Sequence, residues 1–179
     1  MVVKVGILGA GYIGGVHART LRRDDRVNLV GIADIRREAA ERLAAEVGTR
    51  ALPDLAAVLH EGAQAVYVTT PNAHHVEPVV AALEAGVHVF SEKPMATTLE
   101  GARRVATAAA RSKALYQLGF NRRWAPAYAF VHDLIARGEL RPAMAHVKMN
   151  RGELQNPPWV STTSLTGGFL YESTIHLLD

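Results

Sequence analysis

The sequence predicts an α/β fold in which helices cover both faces of a parallel β-sheet. Short runs of β-branched and other apolar residues alternate with longer, alanine-rich amphipathic runs through about the first 120 of the 179 residues. The strand-like runs are almost continuously apolar, which is typical of parallel strands buried on both faces. A glycine-rich turn joins the first strand-like run to the first helical run. Together these observations favour a doubly wound sheet.

The first part of the chain supplies three of the predicted strands. Apolar, β-branched stretches predict strands at residues 2–8, 27–33 and 65–69. Amphipathic stretches predict helices at residues 12–23 and 36–47, and Gly48 follows the second at the usual place of a left-handed cap. Pro53 opens a short predicted helix that ends near His60.

The same alternation continues to about residue 120. Two further helices are predicted at residues 73–85 and 99–112, and each is followed by a predicted strand, at residues 87–90 and 114–118. Gly86 closes the first of these helices, and Thr97 with Glu100 has the spacing of a capping box before the second.

The pattern changes after about residue 120, and this change predicts a domain boundary. A polar, aromatic connector at residues 121–126 leads into a predicted helix at 128–137 and a strand with alternating polarity at 144–150. A loop at 155–159 and the start of a helix at 167–179 follow. We therefore expect one domain at residues 1–122 and the start of a second at residues 123–179.

Composition excludes several classes of protein. The chain has no cysteine, which excludes a disulfide framework, a thiol nucleophile and a thiolate zinc site. Its net charge is +3, and basic and acidic residues are mixed, which argues against a nucleic-acid partner. No apolar run is long enough for a membrane span, and no signal segment precedes the first strand. We therefore expect a cytoplasmic protein with no membrane partner.

Residues 9–14 read Gly-Ala-Gly-Tyr-Ile-Gly, a G-x-G-x-x-G turn between the first strand and the first helix. Gly9 allows the tight turn, Gly11 lets a pyrophosphate approach the backbone, and Gly14 lets the helix pack close to the sheet. Asp34 ends the second strand, 20 residues after Gly14, where a carboxylate can accept from a ribose hydroxyl. The pattern predicts a dinucleotide site, and the alternative is a glycine-rich turn that only links strand and helix.

The residues around Asp34 favour one of two dinucleotides. A carboxylate repels a 2′-phosphate, so Asp34 favours NAD. Arg36 and Arg37 follow, and they can pair with the 2′-phosphate of NADP or simply be solvated in the first turn of a helix. We expect NAD, with NADP as the alternative.

Three further motifs complete a family pattern. Residues 70–75 read Thr-Pro-Asn-Ala-His-His, residues 92–94 read Glu-Lys-Pro, and Gly167-Gly168 precede His176. With the glycine-rich turn, these motifs resemble the glucose–fructose oxidoreductase, inositol dehydrogenase and rhizopine-catabolism family over the whole chain. The resemblance implies an N-terminal Rossmann domain that carries NAD(P). It also implies a C-terminal α/β domain with a mostly antiparallel open sheet, which covers the active site and often mediates homo-oligomerisation.

The resemblance also implies a chemistry, the oxidation of a secondary hydroxyl group on a polyol or sugar by hydride transfer to nicotinamide. Residues 149–153 and 156–159 look most like those of inositol and sugar dehydrogenases. Family members have longer chains, so the resemblance implies that the second domain is incomplete here. Two alternatives stay open: an NAD(P)-binding sensor or regulator without the chemistry, and an inactive fragment of such a dehydrogenase.

The matched motifs assign candidate cofactor contacts. In the family the turn that contains Asn72 contacts the dinucleotide, although Asn72 could instead only cap the next helix. Glu92 contributes to cofactor binding there, and Pro94 is associated with a cis peptide. The candidate cofactor residues are Gly9, Gly11, Tyr12, Ile13, Gly14, Asp34, Ile35, Arg36, Thr70, Pro71, Asn72, His75, Glu92, Lys93 and Asn121.

Lys93, Glu172 and His176 are the candidate catalytic residues. Lys93 follows the fifth strand, where its ammonium group can bind the substrate hydroxyl and stabilise charge on oxygen. Glu172 and His176 are four residues apart and share one face of an α-helix, so the carboxylate can orient the imidazole that takes the hydroxyl proton. The family most often has Asp at the place of Glu172. We expect these three residues, Arg122 and Trp159 to bind the substrate.

Simpler interpretations of some residues remain. Arg122 and Arg123 could form only interdomain ion pairs, Trp159 could only anchor its loop, and His176 could be a surface histidine. His74 and His75 point about 100° apart on a helix and have no third ligand nearby, so we expect no metal site.

Overall fold

The computed structural model describes residues 1–146 and 158–179, and it confirms the predicted doubly wound α/β fold. Within these ranges six parallel strands form one sheet in the order β3-β2-β1-β4-β5-β6. The strands are β1 Val3–Leu8, β2 Val27–Ala33, β3 Ala51–Leu52, β4 Ala65–Val68, β5 His88–Glu92 and β6 Tyr116–Gly119. The order switches direction between β1 and β4, and ligands bind outside the carboxyl ends of the strands at such a point.

Helices connect the strands and then follow the last one. Those between strands are α1 Tyr12–Arg22, α2 Arg37–Val47, α3 Leu55–His60, α4 Val76–Glu84 and α5 Leu99–Arg111. Those after β6 are α6 Pro126–Ala136, α7 Thr163–Thr166 and α8 Ile175–Leu178, with a π-helical segment at Leu170–Thr174. Short 3₁₀ turns lie at Asn72–His74, Asn121–Trp124 and Pro158–Ser161.

Two apolar cores lie on the two faces of the sheet. Ile7 and Ile32 pack with Leu43 of α2 on one face. Val66 packs with residues of α3, α4 and α5, including Val105, on the other face. Because helices cover both faces, strand side chains are buried in both directions, which explains the continuous apolar runs.

The structure differs from the sequence prediction at a few elements. The patterns do not predict β3, because two residues are too short to show periodicity. The helix predicted at residues 73–85 is divided into a 3₁₀ turn and α4. Residues 144–146 are irregular rather than extended, and the rest of that predicted strand, the segment 149–153 and the loop residues 155–157 lie outside the described residues.

Residues 158–179 pack near the carboxyl edge of the sheet, where α7 contacts the turn at Asn72–His74. The helix predicted at residues 167–179 is interrupted at its start, because Gly167 and Gly168 have φ of +79° and +89°. The π-helical segment then leads into α8. None of the helices in the described ranges is both long and apolar enough to cross a bilayer.

Candidate active site

The glycine-rich turn joins the carboxyl end of β1 to α1. Gly9 has φ +107°, a conformation that residues with a side chain rarely adopt. A Cβ on Gly14 would lie 2.0 Å from the Gly9 carbonyl oxygen, so the helix packs against the turn more closely than any side chain permits. A Cβ on Gly11 would meet no atom within 4 Å, so the space beside it is open. No side chain caps α1, which leaves the amides of its first turn, including Tyr12 and Ile13, without a side-chain acceptor.

Asp34 lies directly after β2 and contacts the glycine-rich turn. Its Oδ2 accepts a hydrogen bond from the Ala10 amide at 2.7 Å, and its Oδ1 accepts one from the Arg36 amide at 2.8 Å. Each carboxylate oxygen retains a lone pair for a further donor. The Arg36 side chain is mostly exposed, with Nε 3.6 Å from Asp34 Oδ1. A carboxylate and an accessible guanidinium therefore lie side by side at the end of β2.

Two large exposed side chains flank this region. Tyr12 is 81% exposed at the start of α1, and Ile35 is fully exposed after Asp34. Exposed apolar and aromatic surface of this kind suits packing against a planar ring.

These features fit a dinucleotide better than a turn that only links strand and helix. Open space beside Gly11, uncapped amides at the start of α1 and a carboxylate after β2 match the needs of a pyrophosphate and a ribose.

Asn72 lies in the turn after β4 and connects it to the C-terminal segment. Its side chain is buried, and Nδ2 donates to the Thr166 carbonyl at 3.0 Å and to Glu172 Oε2 at 2.9 Å. The side chain does not cap the 3₁₀ turn at Asn72–His74. Both amide hydrogens are therefore used by residues of the C-terminal segment, and Oδ1 is left for a ligand. Thr70 and Pro71 precede it in the same turn.

Lys93 lies directly after β5 and pairs with Glu172. Lys93 Nζ donates to the Glu172 carbonyl oxygen at 2.8 Å and to Oε1 at 3.1 Å. The two side chains are only 14% and 12% exposed. The Lys93–Pro94 peptide bond is cis. Because an ammonium group has three protons, one remains for an oxygen of a ligand.

His176 lies in α8 beside this pair. Its ring stands edge-on to Phe120, with centroids 6.0 Å apart, and its Nδ1 is buried without a hydrogen-bond partner. Burial lowers the pKa of His176 from its ordinary value, and the charges of Lys93 and Arg122 lower it further. The imidazole is therefore mainly neutral near pH 7 and can accept a proton.

The pairing of Glu172 with His176 that the four-residue spacing predicts is wrong. The carboxylate gives one oxygen to Lys93 and the other to Asn72. Glu172 also lies in the π-helical segment, whose i to i+5 pattern changes the register that an α-helix would have. The nearby ammonium group is the stronger partner, because charge-assisted hydrogen bonds exceed neutral ones.

His75 lies at the junction of the 3₁₀ turn and α4 and is fully buried. Its Nδ1 is 2.8 Å from the Pro94 carbonyl oxygen, and its Nε2 is 2.8 Å from the Thr70 carbonyl oxygen. Both ring nitrogens face carbonyls of the protein. The ring therefore has no nitrogen left for the cofactor contact predicted from the sequence.

Glu92 has a partner that the sequence patterns miss. Its Oε1 lies 2.9 Å from His17 Nε2, and both side chains are mostly buried. The His17 ring packs against Tyr67 and Phe90, with centroid distances of 5.3 and 5.1 Å. The two residues are 75 positions apart, so no local pattern predicts their contact. The only signal in the sequence is that His17 precedes Ala18, which is buried on α1.

The turn after β6 carries two arginines with different surroundings. Arg123 forms the ion pair considered from the sequence, with Nη2 2.7 Å from Asp179 Oδ1. Arg122 is half-buried, and its charge acts on His176. Asn121 is exposed at the start of the turn. Trp159 belongs to the 3₁₀ turn Pro158–Ser161, and its side chain lies outside what the structure describes.

The carboxyl edge of the sheet thus brings Gly9, Asp34, Thr70, Lys93 and Asn121 together, since each lies just after a parallel strand. Lys93, Glu172 and His176 also converge there. Among the residues that the structure describes, no three or more His, Asp and Glu side chains group in a way that could hold a metal ion.

Comparison with known proteins gives a consistent result. The model of an oxidoreductase family with an NAD-binding Rossmann fold, GFO_IDH_MocA, matches residues 3–120. Inositol 2-dehydrogenase 3 of Saccharopolyspora erythraea is 36% identical over 100% of this chain and 52% of its own length. Inositol 2-dehydrogenase of Agrobacterium fabrum is 32% identical over 100% of this chain and 53% of its own length.

A solved structure extends the similarity to the fold. Scyllo-inositol dehydrogenase from Lactobacillus casei, with bound NAD(H) and scyllo-inositol, has a TM-score of 0.73 and 29% identity. The match covers 78% of this chain and 42% of that one. The chain spans about half the length of the curated relatives it matches. It belongs to the glucose–fructose oxidoreductase, inositol dehydrogenase and rhizopine-catabolism family, an oxidoreductase family with an NAD-binding Rossmann fold.

Proposed function

We propose that the protein is an NAD-dependent dehydrogenase that oxidises a secondary hydroxyl group of a polyol or sugar. The observation that carries this proposal is the meeting of Lys93, Glu172 and His176 at the carboxyl edge of the sheet, the same edge at which the glycine-rich turn lies. An ammonium group that can bind a hydroxyl oxygen and a neutral imidazole that can take its proton are the groups an alcohol oxidation needs.

The glycine-rich turn and Asp34 hold NAD in this proposal. The amides at the start of α1, with Gly11, bind the pyrophosphate, and Asp34 accepts from the adenosine ribose. Tyr12 and Ile35 offer exposed surface to the adenine. The exposed Arg36 leaves room for NADP as a weaker second cofactor, since its guanidinium can pair with a 2′-phosphate. When bound, NAD supplies the hydride acceptor.

Lys93 and His176 act on different atoms of the substrate hydroxyl group, its oxygen and its proton. Lys93 uses its remaining proton to bind the hydroxyl oxygen, while Glu172 and the Glu172 carbonyl fix the position of the ammonium group. His176 takes the hydroxyl proton on its neutral, partly buried imidazole ring. In the reverse direction His176 returns that proton to the oxygen. The charge of Arg122 acts on His176, which supports a role for its guanidinium group in binding a further substrate hydroxyl.

The relatives favour cyclic polyols as substrates. Those named above are inositol dehydrogenases, and one was crystallised with scyllo-inositol. We therefore propose an inositol-like polyol as the substrate, with sugars as the wider class. The family resemblance, rather than the names of these relatives, supports a homo-oligomer for the full-length protein.

A substrate screen tests the proposal. The protein is incubated with NAD or NADP and a panel of inositols, other polyols and sugars, and reduced nicotinamide is followed by absorbance. We expect turnover with NAD and at least one cyclic polyol. Lys93→Met should lower kcat by about 10²- to 10³-fold, the usual effect of removing one donor that stabilises charge on the reacting oxygen, while the Kd of NAD changes little. Lys113→Met, at an exposed site, is the matched control. Tight NAD binding without turnover on any substrate would contradict the proposal and favour a sensor or an inactive fragment.

A further inference from the structure

His75 is a buried histidine whose ring lies between two turns at the carboxyl edge of the sheet. It is fully buried, 2.8 Å from the Thr70 carbonyl in the turn after β4 and 2.8 Å from the Pro94 carbonyl in the turn after β5. Pro94 directly follows Lys93. The ring is therefore the link between the Asn72 turn and the backbone that carries Lys93.

The turn that carries Lys93 has few other backbone restraints. Among the described residues, no backbone–backbone hydrogen bond is made by residues 93–97. The turn after β4 is different, since the His74 amide donates to the Pro71 carbonyl and the Thr70 hydroxyl donates to the His74 carbonyl. The contact with His75 is thus the main polar restraint on the Pro94 backbone, whereas the Thr70 side has restraints of its own.

We propose that His75 is a positioning residue for Lys93, which acts by holding the Pro94 carbonyl through its Nδ1. This inference rests on the proposed function, because it assigns Lys93 the hydroxyl-binding role. A carbonyl oxygen only accepts hydrogen bonds, and a neutral imidazole has one N–H to donate. Burial lowers the pKa of His75 below its ordinary value, although the two carbonyl contacts and the charge of Glu92 act in the opposite direction. The neutral ring therefore donates a hydrogen bond to only one of the two carbonyls. We assign that bond to the Pro94 carbonyl, because its backbone has fewer other restraints.

The consequence for the site is geometric. Lys93 Nζ must stay within reach of the Glu172 carboxylate and carbonyl to present its free proton to the substrate. If the Pro94 backbone shifts, the start of the lysine side chain shifts with it. A displacement of about 1 Å at a catalytic group costs as much as about 100-fold in rate. His75 touches neither substrate nor cofactor in this account.

Side-chain isosteres separate the two ring contacts. The Asn amide nitrogen replaces Nδ1 of His, and the Gln amide nitrogen replaces Nε2. We expect His75→Ala and His75→Gln to lower kcat by about 10- to 100-fold with a Kd for NAD within about threefold of wild type. We expect His75→Asn to stay within about threefold of wild-type kcat, because it keeps the Pro94 contact. His74→Ala, at the exposed neighbouring position, is the control and should behave as wild type.

A second readout is independent of turnover. The rate of reductive methylation of Lys93, measured by peptide mass spectrometry against exposed Lys113, reports how firmly the ammonium group is held. We expect Lys93 to react several-fold faster in His75→Ala and His75→Gln than in wild type, His75→Asn and His74→Ala. Should wild type oxidise no polyol, the proposed function fails while this labelling pattern still decides the inference. Equal Lys93 reactivity in the Asn and Gln variants would overturn it, even if His75→Ala does not fold.

Discussion

The hydrogen-bond partners of Glu172 are distant in sequence rather than local. Its position four residues before His176 suggests a local pair, yet its oxygens bind Lys93 and Asn72, which are 79 and 100 positions away. A mostly buried carboxylate is stabilised most by a charged donor, and the ammonium group of Lys93 is the charge within reach. Local spacing alone therefore did not predict which groups the Glu172 carboxylate pairs with.

Arg122 provides a test of the electrostatics around His176. Its positive charge lowers the pKa of His176, so the neutral base persists to lower pH than an ordinary histidine allows. In Arg122→Gln this charge is lost, and the acid limb of the kcat/KM profile for polyol oxidation should move to higher pH. The measurement is the pH dependence of kcat/KM between about pH 5 and 8.

Arg111→Gln is the matched control for this prediction, because it removes the same charge from an exposed place at the end of α5. Its acid limb should coincide with that of wild type. If the limb of Arg122→Gln stays in place or moves to lower pH, His176 is not the group that titrates.

At the scale of elements, the sequence predicts the βαβ frame well and the last segment poorly. Every strand of the sheet except β3 is long enough to show an apolar run, and helices α1, α2, α4 and α5 show clear amphipathic periods. Motif positions follow from that frame, because parallel strands place their carboxyl ends at one edge. The π-helical segment at Leu170–Thr174 has no such signal, since its geometry depends on contacts with Lys93 and Asn72.

Two alanine substitutions in the glycine-rich turn separate folding from cofactor binding. In Gly14→Ala the new Cβ would lie 2.0 Å from the Gly9 carbonyl oxygen, so we expect a loss of about 1–3 kcal/mol in the free energy of unfolding. In Gly11→Ala the Cβ enters open space, so stability should change by less than about 0.5 kcal/mol. The Kd of NAD should nevertheless rise at least about tenfold, because the Cβ occupies the approach of the pyrophosphate.

Urea unfolding and NAD titration of the same samples measure both effects. Gly86→Ala places its Cβ in open space but at a φ of +74°, so it loses stability through backbone strain alone and controls for any effect of lost stability on the Kd of NAD. Wild-type NAD affinity in Gly11→Ala would show that the pyrophosphate binds elsewhere.

At the scale of the whole molecule, polar contacts of long sequence separation join the sheet to residues 158–179. Asn72 binds the Thr166 carbonyl and Glu172, Lys93 binds Glu172, and Arg123 binds Asp179. The partners are 56 to 100 positions apart, so no periodicity in the sequence could predict them. They place Glu172 and His176 beside the carboxyl edge, and the candidate site exists only while they hold.

Asn72→Ala tests whether that attachment depends on the buried amide. The variant leaves the Thr166 carbonyl and one oxygen of Glu172 without their donor, at a cost of about 1–3 kcal/mol. Amide hydrogen exchange in residues 163–178 should therefore accelerate by about 5- to 150-fold, while the sheet strands keep wild-type protection. Asn28→Ala, at an exposed position in β2, should leave both regions unchanged. A uniform acceleration over the sheet would instead mean that Asn72 stabilises the whole fold, and unchanged exchange would mean that the other contacts suffice.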